Sequence, residues 1–275
     1  MSLLRVDALA KKFGGVNAVE DLSFEIRPGA VYSIIGPNGA GKTTLLNLLT
    51  GIYQPSAGRI EFDGQDLTGR APYVYARHGI ARTFQNLQVF FNMSALENVM
   101  VGRYLQERCG LAAALLRSRR LARSERECRD EAAELMRYVG LQDYLSAGSD
   151  AMPYGALKRL EIARALATRP TLMLLDEPAA GLNPTEALEL DNLIGRLTGR
   201  GVTVVLVEHN MRLVMGVSDQ ILVLDYGRKL AEGPALAVRN DPRVIEAYLG
   251  SEVTHDGAYA DDIARAVAVA AEMHR

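Results

Sequence analysis

Apolar positions fall into two patterns along this chain. From Leu3 to Leu9 and from Leu22 to Ile26 they alternate with polar ones, as in strands with one buried face, and Gly14-Gly15 and Pro28-Gly29 supply the adjoining turns. Such strands suit the edge of a sheet. Three other runs, around Val31–Ile35, Leu172–Leu175 and Val202–Val207, are continuously apolar, which suits parallel strands buried on both faces. Gly58–Gly64 reads as a short strand closed by an Asp-Gly turn, Gly79–Asn86 as a strand ended by polar amides, and Ile221–Arg228 as a hairpin.

Helical spacing takes over elsewhere. Ser94-Ala95-Leu96-Glu97 is a capping box for a helix continuing through Val101. From about Leu105 to Leu145, Leu111, Leu115 and Leu116, then Ala132, Leu135, Met136 and Val139, recur at helical intervals among many Arg and Glu residues. This predicts a helical lobe inserted into the sheet domain. Met152-Pro153-Tyr154-Gly155 leads into an amphipathic helix through Leu166, and Asn210 is a cap for a helix from Met211. The alternation of elements makes the fold α/β.

Composition adds limits. With 275 residues, 48% hydrophobic, the chain can bury one large core with a lobe, and a net charge of −2 gives no general footprint for nucleic acid. Cys109 and Cys128 lack the spacing of a zinc site or a disulfide framework, so a reducing cytosol is the simplest setting. The start of the chain lacks a basic region followed by an apolar run, and no stretch approaches the ~18 apolar residues of a membrane helix. At a membrane the chain would be a peripheral subunit. The arginines from Arg117 to Arg129, interleaved with Glu125, Glu127 and Asp130, read as a solvated face with short ion pairs, and docking through Arg117–Arg123 is the competing reading.

The chemistry sits at strand ends. Gly36-Pro37-Asn38-Gly39-Ala40-Gly41-Lys42-Thr43-Thr44 follows an apolar strand and opens a helix, with the spacing of a phosphate loop. Backbone N–H groups there would wrap the phosphates of a nucleoside triphosphate, Lys42 would reach the β and γ groups, and the Thr43 hydroxyl would meet Mg²⁺. Leu172–Leu175 ends in Asp176-Glu177, two carboxylates that are costly unless used. With the phosphate loop expected on a neighbouring strand, Asp176 is placed to hold Mg²⁺ through water and Glu177 to orient or deprotonate the attacking water. His209, after the third apolar run, could hydrogen-bond a γ-phosphate. Gln85 taken alone is a surface residue, but facing phosphates its amide could touch Mg²⁺ or its water. Phe13, placed on the turn at Gly14-Gly15, is either a half-buried turn aromatic or a platform for a flat base.

In order and spacing these motifs resemble the ATP-binding subunit of ABC transporters, from about Leu4 to Gly250. The resemblance implies an ATPase with a P-loop core on a mixed β-sheet, an N-terminal antiparallel β subdomain and an α-helical lobe at about 87–160. It also implies that Phe13 stacks adenine, Gly36 to Thr43 is the Walker A loop, Gln85 the Q-loop, and Asp176 and Glu177 the Walker B aspartate and catalytic glutamate. Ala180-Gly181-Leu182-Asn183 stands as the D-loop and His209 as the switch histidine. The family works as a head-to-tail dimer, in which Tyr154 and Gly155 of one subunit would cap ATP on the other. Here the usual L-S-G-G-Q reads Met152-Pro153-Tyr154-Gly155-Ala156, so one or two hydrogen bonds of roughly 1 to 3 kcal/mol each are missing. A weakened cap is the expectation, and Asn183 replaces the usual D-loop aspartate.

Ala81–Gln85, Met93–Val99, Arg159–Arg164 and Val244–Gly250 resemble the branched-chain amino acid importers within that family. That branch implies the cytoplasmic face of a bacterial inner membrane, two transmembrane permease subunits, a second related ATPase and an extracytoplasmic solute-binding protein. Urea importers and the lipopolysaccharide-extracting ATPase share much of the pattern, and soluble ABC ATPases form a further alternative. Residues 251–275 lie beyond the resemblance and read as a frayed tail, or as a short helix capped by Asp261 or Asp262.

Overall fold

The structure, a computed structural model, describes residues 2–103 and 119–252. The apolar positions Leu111, Leu115 and Leu116, together with Cys109, Arg117 and the possible tail helix at Asp261 and Asp262, lie outside the described residues.

Two sheets form the scaffold. The smaller is antiparallel, in the order β2 (Val16–Ile26), β1 (Leu4–Phe13), β4 (Ala57–Phe62), β5 (Gln65–Asp66). Both β1 and β2 run longer than their apolar alternation, and Phe13 ends β1 opposite Val16 instead of sitting on the turn. In this sheet β2 is an edge strand and β1 lies inside, between β2 and β4, which gives the N-terminal antiparallel subdomain that the resemblance implied. The Asp-Gly turn between β4 and β5 forms as expected, with φ of 47° at Asp63 and 73° at Gly64.

The larger sheet has the order β10 (Arg228–Gly233), β9 (Gln220–Asp225), β3 (Val31–Ile35), β8 (Thr203–Val207), β7 (Leu172–Asp176), β6 (Ile80–Arg82), parallel except for β10. Each continuous apolar run faces two cores in alternation. On β7, Leu172 and Leu174 pack with the small sheet and α1 (Lys42–Leu49), while Met173 and Leu175 face the helices of the other side. Val205 and Val207 against Val204 and Leu206 repeat this on β8. Burial on both faces is why these strands carry no polar alternation. The strand order corrects one expectation: β8 lies between β3 and β7, so Asp176 is not on the strand next to the phosphate loop. The strand read over Gly79–Asn86 is also shorter, and β6 ends at Arg82.

Short helix α2 (Pro72–Arg77) leads into β6. The lobe comprises α3 (Ala95–Gly102), α4 (Arg119–Tyr138) and α5 (Tyr154–Ala167). Its α3 opens with the Ser94–Glu97 capping box, and Ala132, Met136 and Val139 are buried against Leu96, Val99 and Leu160. On the outer face of α4, Arg123 pairs with Glu127 at 2.9 Å, as a solvated helix face requires. The later helices are α6 (Pro184–Gly199), α7 (Met211–Val217), α8 (Ala235–Arg239) and α9 (Pro242–Glu252), the last passing the expected limit at Gly250. Among the described residues no helix is long and apolar enough to cross a membrane.

Candidate functional site

The phosphate loop is clamped by backbone from both sheets. A Cβ on Gly36 would strike the Leu224 carbonyl of β9, and one on Gly41 the Ala18 carbonyl of β2, with φ of 98° at Gly41 also excluding most side chains. Gly227 N–H donates to the Ala40 carbonyl at 3.0 Å, and Glu20 N–H to the Gly227 carbonyl at 2.8 Å. Gly36 and Ala40 are buried, whereas Asn38, Gly39 and Thr43 are exposed and Pro37, Gly41, Lys42 and Thr44 half-buried. The loop therefore offers one open face at the start of α1, where backbone N–H groups and the helix dipole favour an anion.

Lys42 lies across this face. Its ammonium donates to the carbonyls of Gly36 at 2.6 Å and Pro37 at 3.0 Å. Burial pulls its pKa down, and the charges of Glu177 and Asp176 pull the other way. Phe13, 43% exposed, meets Tyr53 edge-on at 5.2 Å and has the Lys11 ammonium 4.9 Å from its centroid. Because its partner Val16 lies beside Ala18 in β2, the ring stands at the loop's end of the hairpin.

Parallel strands bring the other expected residues to one edge. Asp176 ends β7, and Glu177 follows with φ of 47°, its N–H bonded to the Val207 carbonyl of β8 at 2.8 Å. Gln85, after β6, donates from Nε2 to Glu177 Oε2 at 2.8 Å. His209 is 52% exposed, with Nδ1 3.9 Å from Glu177 Oε2. Gln85, Glu177 and His209 are thus in contact or near it, and the Asp176 and Glu177 charges act on Lys42.

Three charged residues hold this cluster without a role in the sequence reading. Glu208, fully buried, accepts N–H bonds from Ala179 at 2.7 Å, His209 at 3.1 Å and Asn210 at 3.3 Å. Burial raises its pKa although all three N–H groups and His209 oppose the shift. Arg82 donates to Asp176 Oδ2 at 2.8 Å, and Lys158 to the Gln85 carbonyl at 2.9 Å. Arg82 follows the apolar pair Ile80-Ala81, Glu208 ends the run Val202–Val207 and Lys158 lies beside Arg159, but nothing adjoining any of them in sequence points to its partner.

The start of α5 lies elsewhere in the chain's contacts. Pro153 is its N-cap and supplies no side-chain acceptor, while Tyr154 is exposed with its ring against Gly181. A Cβ on Gly155 would strike the Glu186 carboxylate, so this glycine is buried beneath the first turn of α6. Ala156 is buried too. Glu186 Oε2 in turn accepts the Asn183 N–H at 2.9 Å, and Asn183 Oδ1 caps α6.

Comparison with known proteins agrees with this geometry. The family model described as ABC transporter matches residues 19–180, and that of the branched-chain amino acid ATP-binding cassette transporter matches 228–254. The chain is 44% identical over 249 residues to the high-affinity branched-chain amino acid transport ATP-binding proteins BraF of Pseudomonas aeruginosa and LivG of Escherichia coli K12, covering 90% of this chain and 98% of each relative. A nucleotide-free ATP-binding cassette from an ABC transporter superposes with a TM-score of 0.79 at 32% identity, covering 90% of this chain and 99% of that one. A cassette in its ADP conformation gives 0.78 at 31%, covering 91% and 99%. A clamped phosphate loop, facing carboxylates at the ends of parallel strands and similarity along nine-tenths of its length show that the chain belongs to the ABC transporter family and is one of its ATP-binding, ATP-hydrolysing subunits.

Proposed function

We propose that this subunit powers a bacterial importer of branched-chain amino acids. It would work from the cytoplasmic face of the inner membrane, in a head-to-tail dimer with a second ABC ATPase subunit, another copy of this chain or a related one. The contact of Gln85 with Glu177, next to His209, carries the mechanism. Similarity to branched-chain amino acid transport proteins, together with the match at 228–254, favours this branch over urea import, lipopolysaccharide export or a soluble ATPase.

Phosphates of ATP take the N–H groups of Gly36 to Thr43 and draw the Lys42 ammonium from its own loop carbonyls. Adenine stacks on the exposed face of Phe13. Thr43, Asp176 and the Gln85 side-chain oxygen are the oxygen donors suited to Mg²⁺. Among the described residues no group of three or more His, Cys, Asp or Glu could hold a metal by itself, so phosphate oxygens would have to complete the set, as Mg²⁺ favours. When bound, the ion neutralises charge on the β- and γ-phosphates. Glu177 orients the attacking water and takes its proton, and His209 donates a hydrogen bond to the γ-phosphate. Tyr154 and Gly155 cap the ATP of the partner subunit.

A groove of about 690 Å³ between the sheet and the lobe supports coupling to two transmembrane permease subunits. Phe84, Leu87, Phe90 and Val101 give it an apolar lining suited to a short amphipathic segment of a permease. Gln85, following Phe84 and held by Lys158, connects that groove to Glu177. The extracytoplasmic solute-binding protein would act through the permeases.

Glu177→Gln should bind ATP with native affinity while turnover falls by about 100-fold or more, the scale of losing a general base. Undiminished turnover would remove Glu177 from the role. Uptake of leucine, isoleucine or valine by vesicles containing the chain, its dimer partner and the permeases tests the solute, and uptake of urea alone would move the assignment.

A further inference from the structure

Arg82 is a charged residue in an interior that gives it work on both sides. It and Asp176 are 6% and 5% exposed in their side chains. One terminal nitrogen donates to Asp176 Oδ2 at 2.8 Å, and the other to Asn47 Oδ1 at 2.6 Å and, more weakly, to Thr50 Oγ1 at 3.4 Å. The guanidinium also lies 4.9 Å from the centroid of the Phe84 ring. Its Nε is buried without a hydrogen-bond partner.

Stability alone accounts poorly for such a residue. A buried ion pair seldom stabilises more than an apolar replacement of the same volume, and a stranded donor adds cost. What the pair provides is a fixed distance between elements that the sheet does not join directly. Asp176 ends β7, Asn47 lies on α1, and β8 separates β7 from the strand that feeds α1. The planar fork of arginine grips Asn47 and Asp176 at once, which a lysine ammonium cannot do with the same geometry.

We propose that Arg82 is a positioning residue that, by gripping Asn47 and Asp176 together, fixes the Asp176 carboxylate relative to Thr43 and so sets the Mg²⁺-dependent part of ATP affinity. This rests on the Mg²⁺·ATP reading given above. Groups that orient a metal-binding carboxylate commonly account for about 10- to 100-fold in metal affinity. The loss should therefore fall on the metal-dependent part of binding and spare the phosphate loop, which Arg82 does not touch.

The test is calorimetric titration of the full chain with ATP, once in excess Mg²⁺ and once in EDTA, for the native protein, Arg82→Met, Arg82→Lys and Asn47→Ala. In EDTA all four should bind ATP within about twofold of one another, whereas the gain on adding Mg²⁺ should fall by about tenfold in Arg82→Met. It should fall by a smaller factor in Arg82→Lys and Asn47→Ala, which retain a positive charge beside Asp176. A folded Arg82→Met with the native Mg²⁺ gain would overturn the proposal. So would equal losses with and without Mg²⁺, the mark of general loosening. Should Arg82→Met fail to fold, a native gain in both Arg82→Lys and Asn47→Ala overturns it just as well. A native protein that binds ATP without any Mg²⁺ gain refutes the metal reading and the inference with it, whereas one that binds no ATP refutes the functional assignment itself.

Discussion

Replacing Glu208 with alanine should destabilise the fold by about 2 kcal/mol. The carboxylate is fully buried and accepts N–H bonds from Ala179, His209 and Asn210. His209 and Asn210 are exposed, so water can take over those two donors. Ala179 is half-buried, and its bond is the short one at 2.7 Å; a hydrogen bond to a charged acceptor is worth about 1.5 to 3 kcal/mol. Loss of the one buried methylene beyond Cβ adds about 0.8 kcal/mol. Against these losses stands the removal of a buried charge, whose cost shows in the raised pKa of Glu208. Glu208→Gln keeps the shape and one acceptor for Ala179, so its cost should be about half as large. Urea unfolding of the full chain at pH 7, followed by circular dichroism, gives both values. A cost below about 0.5 kcal/mol for alanine, or a larger cost for glutamine than for alanine, would refute the reasoning. Because the Glu208 carboxylate joins the segment after Glu177 to His209, both variants should also lose turnover while keeping ATP affinity.

Glu161 gives a pH test: it is buried, accepts the Gln88 N–H at 2.6 Å and leaves Oε2 without a partner, and burial raises its pKa above the usual 4.5. The folded chain then holds this proton more tightly than the unfolded chain, so stability is fully present below about 4.5 and falls as pH rises through the raised value. Native stability minus that of Glu161→Gln should therefore increase as pH is lowered from 7 towards 4.5, and a flat or opposite trend in paired thermal melts would contradict this. Asn183→Ala removes the acceptor for the N–H groups of Thr185 and Glu186, both at 3.0 Å, and should cost about 1 kcal/mol, or about 2–4 °C in Tm for a chain of this size. An unchanged melt would show that the cap does not hold α6. Pro153→Ser supplies the N-cap acceptor that α5 lacks and should tighten ATP-dependent self-association of the Glu177→Gln protein, measured by analytical ultracentrifugation; no change would mean that the hydroxyl is dispensable.

Local chemistry was legible in the sequence wherever backbone geometry demands it. Gly36 and Gly41 of the phosphate loop stand where a Cβ would meet another strand's carbonyl, and the Ser94 box and Asn210 cap are satisfied within a turn. Continuous apolar runs marked β3, β7 and β8 because each is buried on two faces. Their order was not legible, since nothing in Leu172–Leu175 or Val202–Val207 specifies a neighbour, and β8 separates β7 from β3. The hairpin of β1 and β2 extends through Lys11, Lys12 and Asn17, where solvent exposure allows polar residues on both faces and erases the alternation. Arg82, Lys158 and Glu208 were opaque for another reason: a buried charge depends on its partner, and Asp176, Gln85 and Ala179 are all remote from them in sequence.

That dependence also explains why the phosphate loop reads so clearly while its chemistry is spread out. In the proposed mechanism Gly36 to Thr43 binds phosphate with its own backbone, and the loop is held by the carbonyls of Ala18 and Leu224 behind it and the Gly227 N–H on Ala40. Hydrolysis needs groups whose charges would repel one another if nothing held them. Asp176, Glu177 and Glu208 crowd the ends of β7 and β8, and each is engaged by a different partner: Arg82, Gln85 and the N–H groups around Ala179. Those partners come from β6, the segment after it and the stretch leading to α6, so the carboxylates are set only when the sheet and the D-loop segment are in register. In the same chain the tip of α5 rests on that stretch, Tyr154 against Gly181 and Gly155 beneath Glu186. A shift of the α5 tip towards a partner's nucleotide would therefore press on the segment whose first N–H group is held by Glu208, beside His209. In the proposed dimer the tip of α5, residues 179–186 and His209 would move as one mechanical unit, which is why ATP binding would belong to the loop alone and hydrolysis to the assembled pair.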